Sequence, residues 1–489
     1  MYGLGINKLG TLNTSGSGGS GVPTILNLFS SGENGFWYDI SDTSVLFTDT
    51  GGTTAVTAPS QLVKRINDKS GNSNNLVFSS AGGTYPRYTK HPESGLRNRI
   101  ADSNTLTQTA SGDEGKRGWN NFTAQNSATI DSTTSPETGA DSFKIFKTSS
   151  DNGGFISWQP NSVLPTDNNE NHTLSVYFKP TGNGTHPVTD LMFLLGQLQV
   201  LFDVSAGTFT LLGTTANHSS SSVTDAGNGW YLLKTTVSNM GNNNVAFFGL
   251  DSSGSYTSFN GETSEFLLSA PQLEVGSSRT AFQTTTNKYN VTQPNEGSVF
   301  CLTFEGDASV DAYGILDTSA GDYAYGNFVD SVSLIAGVAV DYGSTERSIV
   351  DLTKNGNNDI NSNSRLYIDS NEFKHFAGGS STTTTVTSDV GGALSFPIKA
   401  SVFTGVDISA DSNTISLGSQ GHSDSTTSDL GSGNFFVDIP DIQIAASDIS
   451  STPANFFKGG LYQLVLVERL LTATEESQMS IIVDGKVGV

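Results

Sequence analysis

The last thirty or so residues constrain the fold more tightly than any other part of the chain. Leu461–Glu468 is apolar at Leu461, Tyr462, Leu464, Val465, Leu466 and Val467, a density that suits a strand buried on both faces. The periodicity then changes. Thr472-Ala473-Thr474-Glu475 has capping-box spacing, in which Thr472 caps a helix start and Glu475 reaches back. Met479, Ile481, Ile482 and Val483 supply an apolar stripe, and Gly485 is placed to end the helix. The ending therefore reads as a strand, a short helix and a glycine stop.

The rest of the chain favours strands over helices. It holds 54 Gly and 28 Phe, and only 15% of its residues are charged. Ser, Thr, Asn and Asp fill much of the remainder, which describes short strands joined by tight turns. With 489 residues the chain is too long for one core, and two to four domains are expected. The large aromatics can close compact cores even at 35% hydrophobic residues.

Charge and cysteine usage exclude several classes. A net charge of −23 repels phosphate backbones and anionic membranes, so no nucleic-acid partner is expected. Cys301, the single cysteine, lies in the apolar run SVFCLTF and reads as a small buried hydrophobe; an intrachain disulfide is excluded. No run reaches the ~18 apolar residues of a membrane span, so no membrane insertion is expected. The start, MYGLGINKLG, lacks the apolar core of a signal peptide, which implies synthesis in a cytoplasm without Sec export.

Four segments can be marked out. Residues 1–27 contain TSGSGGSG, a flexible segment. Residues 28–97 read as a small N-terminal module with two phrases, W-Y-D-x-S-D…L-F-x-D from Trp37 to Asp49 and D-K-S-G-N-x-N from Asp68 to Asn74. TYPRY closes it at Thr84–Tyr88. Residues 98–287 read as a β-sandwich with six strand candidates: SFKIFK, FISWQ, LSVYFKP, LMFLL, GWYLLKTTVS and VAFFGLD. Alternation is clearest in LSVYFK, which puts Leu174, Val176 and Phe178 on one face and Ser175, Tyr177 and Lys179 on the other. Residues 288–489 read as a second sandwich that ends in the strand and helix above.

These phrases carry a resemblance. The two N-terminal phrases look like the start of many phage appendage and prophage tail-region proteins. DAGNGWYLLKTTV and APQLEVGSSRTAFQTTT resemble the strand entry and the close of carbohydrate-binding-like jelly rolls in phage proteins. The C-terminal strand and helix resemble the close of the laminin-G/concanavalin-like sandwich of phage structural proteins. That family's F-D-G-x-D-D phrase has become Phe304-Glu305-Gly306-Asp307 here, and the doubled aspartate is absent. The resemblance implies an all-β virion structural protein, a tail fibre, spike or capsid fibre. It would be attached through residues 1–27 to other virion proteins, exposed on the particle, commonly homotrimeric, and directed at a host-surface glycan.

Signals for catalysis are sparse. No E-x-D-x-x-E strand of the laminarinase type is present, and Asp322, Asp330 and Asp341 sit singly in turn-like sequence. The six histidines lie far apart without a G-x-S-x-G elbow, and read as surface residues rather than bases. One cysteine and dispersed histidines offer no zinc spacing. Calcium has oxygen-ligand candidates in Asp39/Asp42/Asp49, Asp307/Asp311 and Asp438/Asp441; with no D-x-D-x-D-G string to force ligands together, the same aspartates read first as turn residues that bond backbone N–H groups. Of these, Asp307 and Asp311 are the calcium pair chosen.

Glycan binding needs exposed rings for sugar C–H faces and amides or carboxylates for hydroxyls. Trp119, Trp158, Trp230 and Tyr256 are platform candidates in the first sandwich, and Tyr313, Tyr323 and Tyr325 in the second. For each ring taken alone burial in a core is the favoured reading, and Trp230, at a strand start, reads as structural. Tyr323, Tyr325, Tyr313, Trp158 and Tyr256 form the expected glycan-binding set. The expected function is a virion appendage that presents two sandwiches to host glycans. An architectural capsid cement protein and a polysaccharide depolymerase are the alternatives.

Overall fold

A computed structural model describes residues 24–80, 84–100, 103, 119–120, 127–138, 140–147, 156–160, 171–213, 215–238, 245–250, 262–287, 289–305, 312–316, 331–340, 346–353, 363–369, 372–378, 383–387, 398–407, 413–419, 422–428, 441–449 and 452–488. The strand Lys458–Val467 organises one half of the molecule. Along one edge it pairs antiparallel with Ser331–Val340, and along the other with two strands set end to end, Gly35–Asp39 and Ser298–Glu305. Both of its faces are buried, as its composition demands. Leu461, Leu464 and Leu466 point into the core between two sheets. Tyr462, Val465 and Val467 lie on the opposite side, with Met479, Val483 and Val487 of the C-terminal helix and Ile25, Leu28 and Phe29 of a 3-10 turn. A register shift beside Gly337 and Val338 moves the strand from one alternation to the other, which is why Leu461 and Leu464 share a face.

The helix spans Ala473–Val487 and has the expected capping box: Glu475 N donates to Thr472 Oγ1 at 3.3 Å and Thr472 N to Glu475 Oε2 at 2.8 Å. Its end differs from expectation. Gly485 lies within the helix, and the chain stops at Gly488, in the left-handed region at φ 78°. The buried stripe is Met479, Val483 and Val487, so the apolar contact runs past Gly485 and holds the last turn helical. Ile481, expected in that stripe, points to solvent at 74% exposure.

Residues 28–97 do not form a module of their own. Gly35–Asp39 pairs with Lys458–Val467, Arg87–Pro92 with Ser298–Glu305, and Leu76–Ser80 with Ala312–Leu316. Phe36, Tyr38, Leu46, Leu76 and Phe78 sit in one cluster with Leu302, Leu334, Leu366 and Leu464. Strands this short cannot close a core unaided, so they complete a ten-stranded and a nine-stranded sheet otherwise built from the C-terminal region.

Between them the chain makes a second sandwich. Two six-stranded sheets take all their strands from residues 119–275, and all six expected strands are present. Leu174, Val176 and Phe178 enter its core with Phe193, Phe202, Phe247 and Phe266. Phe193 meets Phe202 edge-on at 4.7 Å and Phe247 at 5.3 Å. The entering and leaving strands are bonded at the junction: Arg97 N donates to Gln283 Oε1 at 2.7 Å, and Asn98 Nδ2 to Gln283 O at 3.0 Å. The fold is all-β, with one sandwich set inside the sequence of another.

Two of the phrases that carried the resemblance stabilise this sandwich. In Gln272-Leu273-Glu274, Gln272 Oε1 accepts from Gln283 N at 2.9 Å, and Glu274 accepts from both the N–H and the hydroxyl of Thr280. In DAGNGWY, Asp225 Oδ1 accepts from Gly227 N at 2.8 Å, and Gly227, Asn228 and Gly229 all take positive φ to turn the hairpin. Trp230 is buried.

Candidate functional site

Of the expected glycan-binding set, Tyr323, Tyr325 and Tyr256 lie outside the described residues, as do Asp307 and Asp311 of the calcium pair. Trp158 occupies the strand Ile156–Pro160, in register with Phe247. Tyr313 is half-buried in the strand Ala312–Leu316, in register with Ser79.

The N-terminal phrases assemble a structural clasp. Asp68 accepts from Trp37 N at 2.8 Å, Ser70 N at 2.8 Å, Ser70 Oγ at 2.6 Å and Asn74 N at 3.0 Å. Asn74 Nδ2 donates to Gly35 O at 2.6 Å, and Tyr38 Oη to Asn74 O at 2.6 Å. Lys69 joins Asp39 at 3.3 Å and Asp42 at 2.7 Å, with its ammonium 4.6 Å from the Trp37 ring centre. Burial opposes the charge of Asp42, but Lys69 and Ser44 outweigh it and hold its carboxyl down at about 2. Asp49 bonds the backbone of Thr53 and Thr54. In this structure Asp39, Asp42 and Asp49 thus act as ion-pair and turn acceptors. Among the described residues no group of three or more His, Cys, Asp or Glu could hold a metal ion.

Two histidines expected at the surface, His172 and His375, are interior. His375 Nδ1 donates to Ser416 O at 3.0 Å and its Nε2 accepts from Ser364 Oγ at 2.9 Å, which fixes the neutral tautomer and ties the two large sheets together. Burial pushes its pKa down to about 4.

Several half-exposed rings have a face taken by a cation. Lys64 lies 4.7 Å from the Tyr85 centre, Arg87 5.2 Å from Tyr289 and Arg279 5.3 Å from Tyr177. Arg279 is itself held by Glu137 at 2.6 Å and Ser175 at 3.1 Å. These rings are poorly placed to stack a sugar.

On the outer face of the nine-stranded sheet Arg365 likewise lies over Tyr367 and Phe376, 4.6 and 5.9 Å from the ring centres, but polar side chains stand beside them. Its strands give their inner positions to the core through Leu76, Phe78, Val350, Leu352, Leu366, Ile368, Phe373, Ala377, Ile442 and Ile444. The alternate positions line up across seven strands as Val77, Ile315, Gln443, Asp351, Arg365, Phe376 and Thr385. Tyr313, Ser348, Tyr367 and Lys374 flank that row. Strands spaced about 4.8 Å apart make the stretch from Gln443 to Thr385 roughly 20 Å long, enough for an oligosaccharide. Three positions of this face are polar and almost wholly buried: Asp351 is 1% exposed, Gln443 4% and Ser348 0%. Gln443 Oε1, Ser348 Oγ and Arg365 Nε have no hydrogen-bond partner among the described residues. A buried polar atom left unmatched costs about 1–3 kcal/mol, so such a group invites a ligand or ordered water. The rim is half-exposed, with Arg365, Lys374, Phe376 and Tyr313 around these positions and Thr385 open to solvent. Sequence reasoning found Tyr313 but not the others, because single polar residues within strands carry no local motif.

No family model and no curated protein matches the chain. Among solved structures it is similar to the CBM40 of the Ruminococcus gnavus IT-sialidase, at 13% identity and TM-score 0.27, over 31% of this chain and 83% of that one. It is also similar to the NanB sialidase from Streptococcus pneumoniae, at 12% identity and TM-score 0.26, over 30% and 23% of the two chains. A third is tailspike protein 2 from Escherichia coli O157:H7 bacteriophage CAB120, at 12% identity and TM-score 0.24, over 33% and 22%. These likenesses are too slight to bear on what this chain binds.

Proposed function

We propose that the protein is a bacteriophage virion appendage that binds host-surface glycans through the outer face of its nine-stranded sheet, without cutting them. The observation that carries the binding reading is the buried polar set of Gln443, Ser348 and Arg365, each with an atom that has no hydrogen-bond partner among the described residues. The phage role rests on the sequence phrases alone. Residues 1–27 would join other virion proteins, and many weakly binding copies on one particle would gain avidity.

Assembly into a homotrimer belongs to the same proposal. The number three rests on the resemblance alone; association of copies as such is supported by the exposed strand Thr208–Gly213 at a sheet edge, where Phe209 and Leu212 stand 39% and 40% exposed. Residues 204–224 around it hold no Asp, Glu, Lys or Arg, so like-charged copies can approach there.

Mass spectrometry of purified particles tests the phage role, and adsorption assays with added free protein test the binding. The reading expects the chain in the particle and slower adsorption when free protein competes. Absence from particles, or unchanged adsorption, contradicts it.

A further inference from the structure

The inner sandwich has an unguarded edge. Among the described residues, one of its six-stranded sheets ends at the strand Thr208–Gly213 and the other at His218–Gly227. The two edge strands are neighbours, with the Phe209 ring centre 5.9 Å from that of His218. Natural edge strands are blunted by a charge, a proline or a bulge, because their free N–H and C=O groups otherwise pair with another strand. His218–Gly227 is blunted by two register shifts against Trp230–Val237. Thr208–Gly213 has none of these devices. Its register with Leu198–Asp203 is unbroken, its sequence TFTLLG holds no charge and no proline, and every residue except the half-buried Leu211 is exposed.

The composition of this edge points to its partner. A partner recognised by charge would need acidic or basic side chains, and residues 204–224 hold neither. In a chain of net charge −23, such a stretch is where a second copy can approach without strong repulsion. Two identical strands complement each other when they run antiparallel about a two-fold axis normal to the sheet. Residues opposite each other then share a face. Phe209 and Leu211 are in register with the core residues Phe202 and Val200, and so lie on the face turned to the core. An axis at Thr210 therefore sets Phe209 of each copy against Leu211 of the partner subunit. An axis at Leu211 would set Phe209 against a glycine and cover less apolar surface.

We propose that two copies join edge to edge through Thr208–Gly213, antiparallel about an axis at Thr210, so that two six-stranded sheets become one of twelve. The inference rests on the association of copies proposed above and fixes its geometry. A two-fold contact joins copies in pairs and cannot close a ring of three. A threefold contact, where present, then lies elsewhere on the chain, and the assembly holds six copies.

The test is sedimentation velocity of the full chain over a range of concentrations. The parent should sediment as two or six copies. Thr210→Lys and Thr210→Glu each change an exposed residue and should keep the parent melting temperature. Each sets like charges opposite one another across the axis, which should weaken pairing about fivefold and shift two copies towards one, or six towards three. Mixing the two variants should restore the pairing, since position 210 faces itself only at a two-fold axis; a folding defect would not be repaired in this way. Variants that dissociate without recovery on mixing would overturn the proposed axis. A parent of three copies that neither variant disturbs would overturn the inference and leave association standing. A parent that stays monomeric at every concentration would remove both the inference and the association beneath it.

Discussion

Lys486 of the C-terminal helix donates to both carboxylate oxygens of Asp39, at 3.1 and 3.2 Å, although 447 positions separate the two residues. Lys69 reaches the same carboxylate, and Lys486 also bonds Ser41. The first strand of the described residues, Gly35–Asp39, is thereby fixed to the helix Ala473–Val487. Asp39→Ala strips Lys486 of its carboxylate and leaves Lys69 with Asp42 alone. Because both lysines keep some solvent contact, the loss should be about 2–3 kcal/mol, at or below the low end for a buried pair. Urea unfolding checks it; a change below 0.5 kcal/mol (about the scatter of ordinary surface substitutions) would remove the ion cluster from the account.

Acid should act on stability in two stages. His375 is held neutral by burial, with its pKa lowered from 6.5 to about 4, so the unfolded chain binds its proton first as pH falls. Its stabilising contribution is complete above pH 6.5 and is lost progressively between pH 6.5 and 4, on the order of 3 kcal/mol. Asp42, depressed from 3.8 to about 2, contributes above pH 3.8 and loses its contribution as pH falls towards 2. Melting temperatures from pH 7 to 4.5 should decline in the parent chain. The decline should be much flatter in His375→Leu, which starts less stable because Ser364 and Ser416 lose their partner.

Two glycines should respond with opposite signs. A Cβ on Gly35 would stand 1.9 Å from Leu466 O, and its φ is +139°, so Gly35→Ala must push apart the pairing with Lys458–Val467. A loss of more than 3 kcal/mol is expected, roughly the sum of backbone strain and a broken ladder. Gly485 sits exposed within the helix with nothing within 4 Å of its would-be Cβ. Gly485→Ala should stabilise by up to ~1 kcal/mol. Thermal unfolding of the two variants settles both signs.

The nested arrangement predicts that the inner sandwich can be removed. Asn98 and Gln283 are joined where the chain enters and leaves it, so replacing residues 99–282 by a short Gly-Ser link should leave the outer sandwich folded. Circular dichroism should show a β spectrum and one cooperative melt. An unfolded product would mean that the outer sandwich depends on the inner one.

Local patterns in the sequence predicted local structure well. The alternation of Leu174, Val176 and Phe178, the apolar run of the last strand and the Thr472–Glu475 spacing each depend on neighbouring residues, and each is found as read. The nesting was hidden because Gly35–Asp39 finds its partner at Gln463–Val467, and no local signal reports a pairing across that distance. The phrases from Trp37 and Asp68 drew attention through their rare residues, yet those residues bond one another and their neighbours to build turns. The candidate face had a weaker sign. In RSIVDLT, NSRLYID and DIQI, polar residues interrupt apolar strands, which hints at a sheet with one polar face but not at its ligand.

The central claim is binding without turnover. The direct measurement incubates the purified chain with polysaccharide from host envelopes and records both retention of the sugar and release of new reducing ends. The account predicts retention, weakened by Gln443→Leu, with reducing ends no higher than in the blank. A steady rise in reducing ends, or no retention of any envelope sugar, would contradict it.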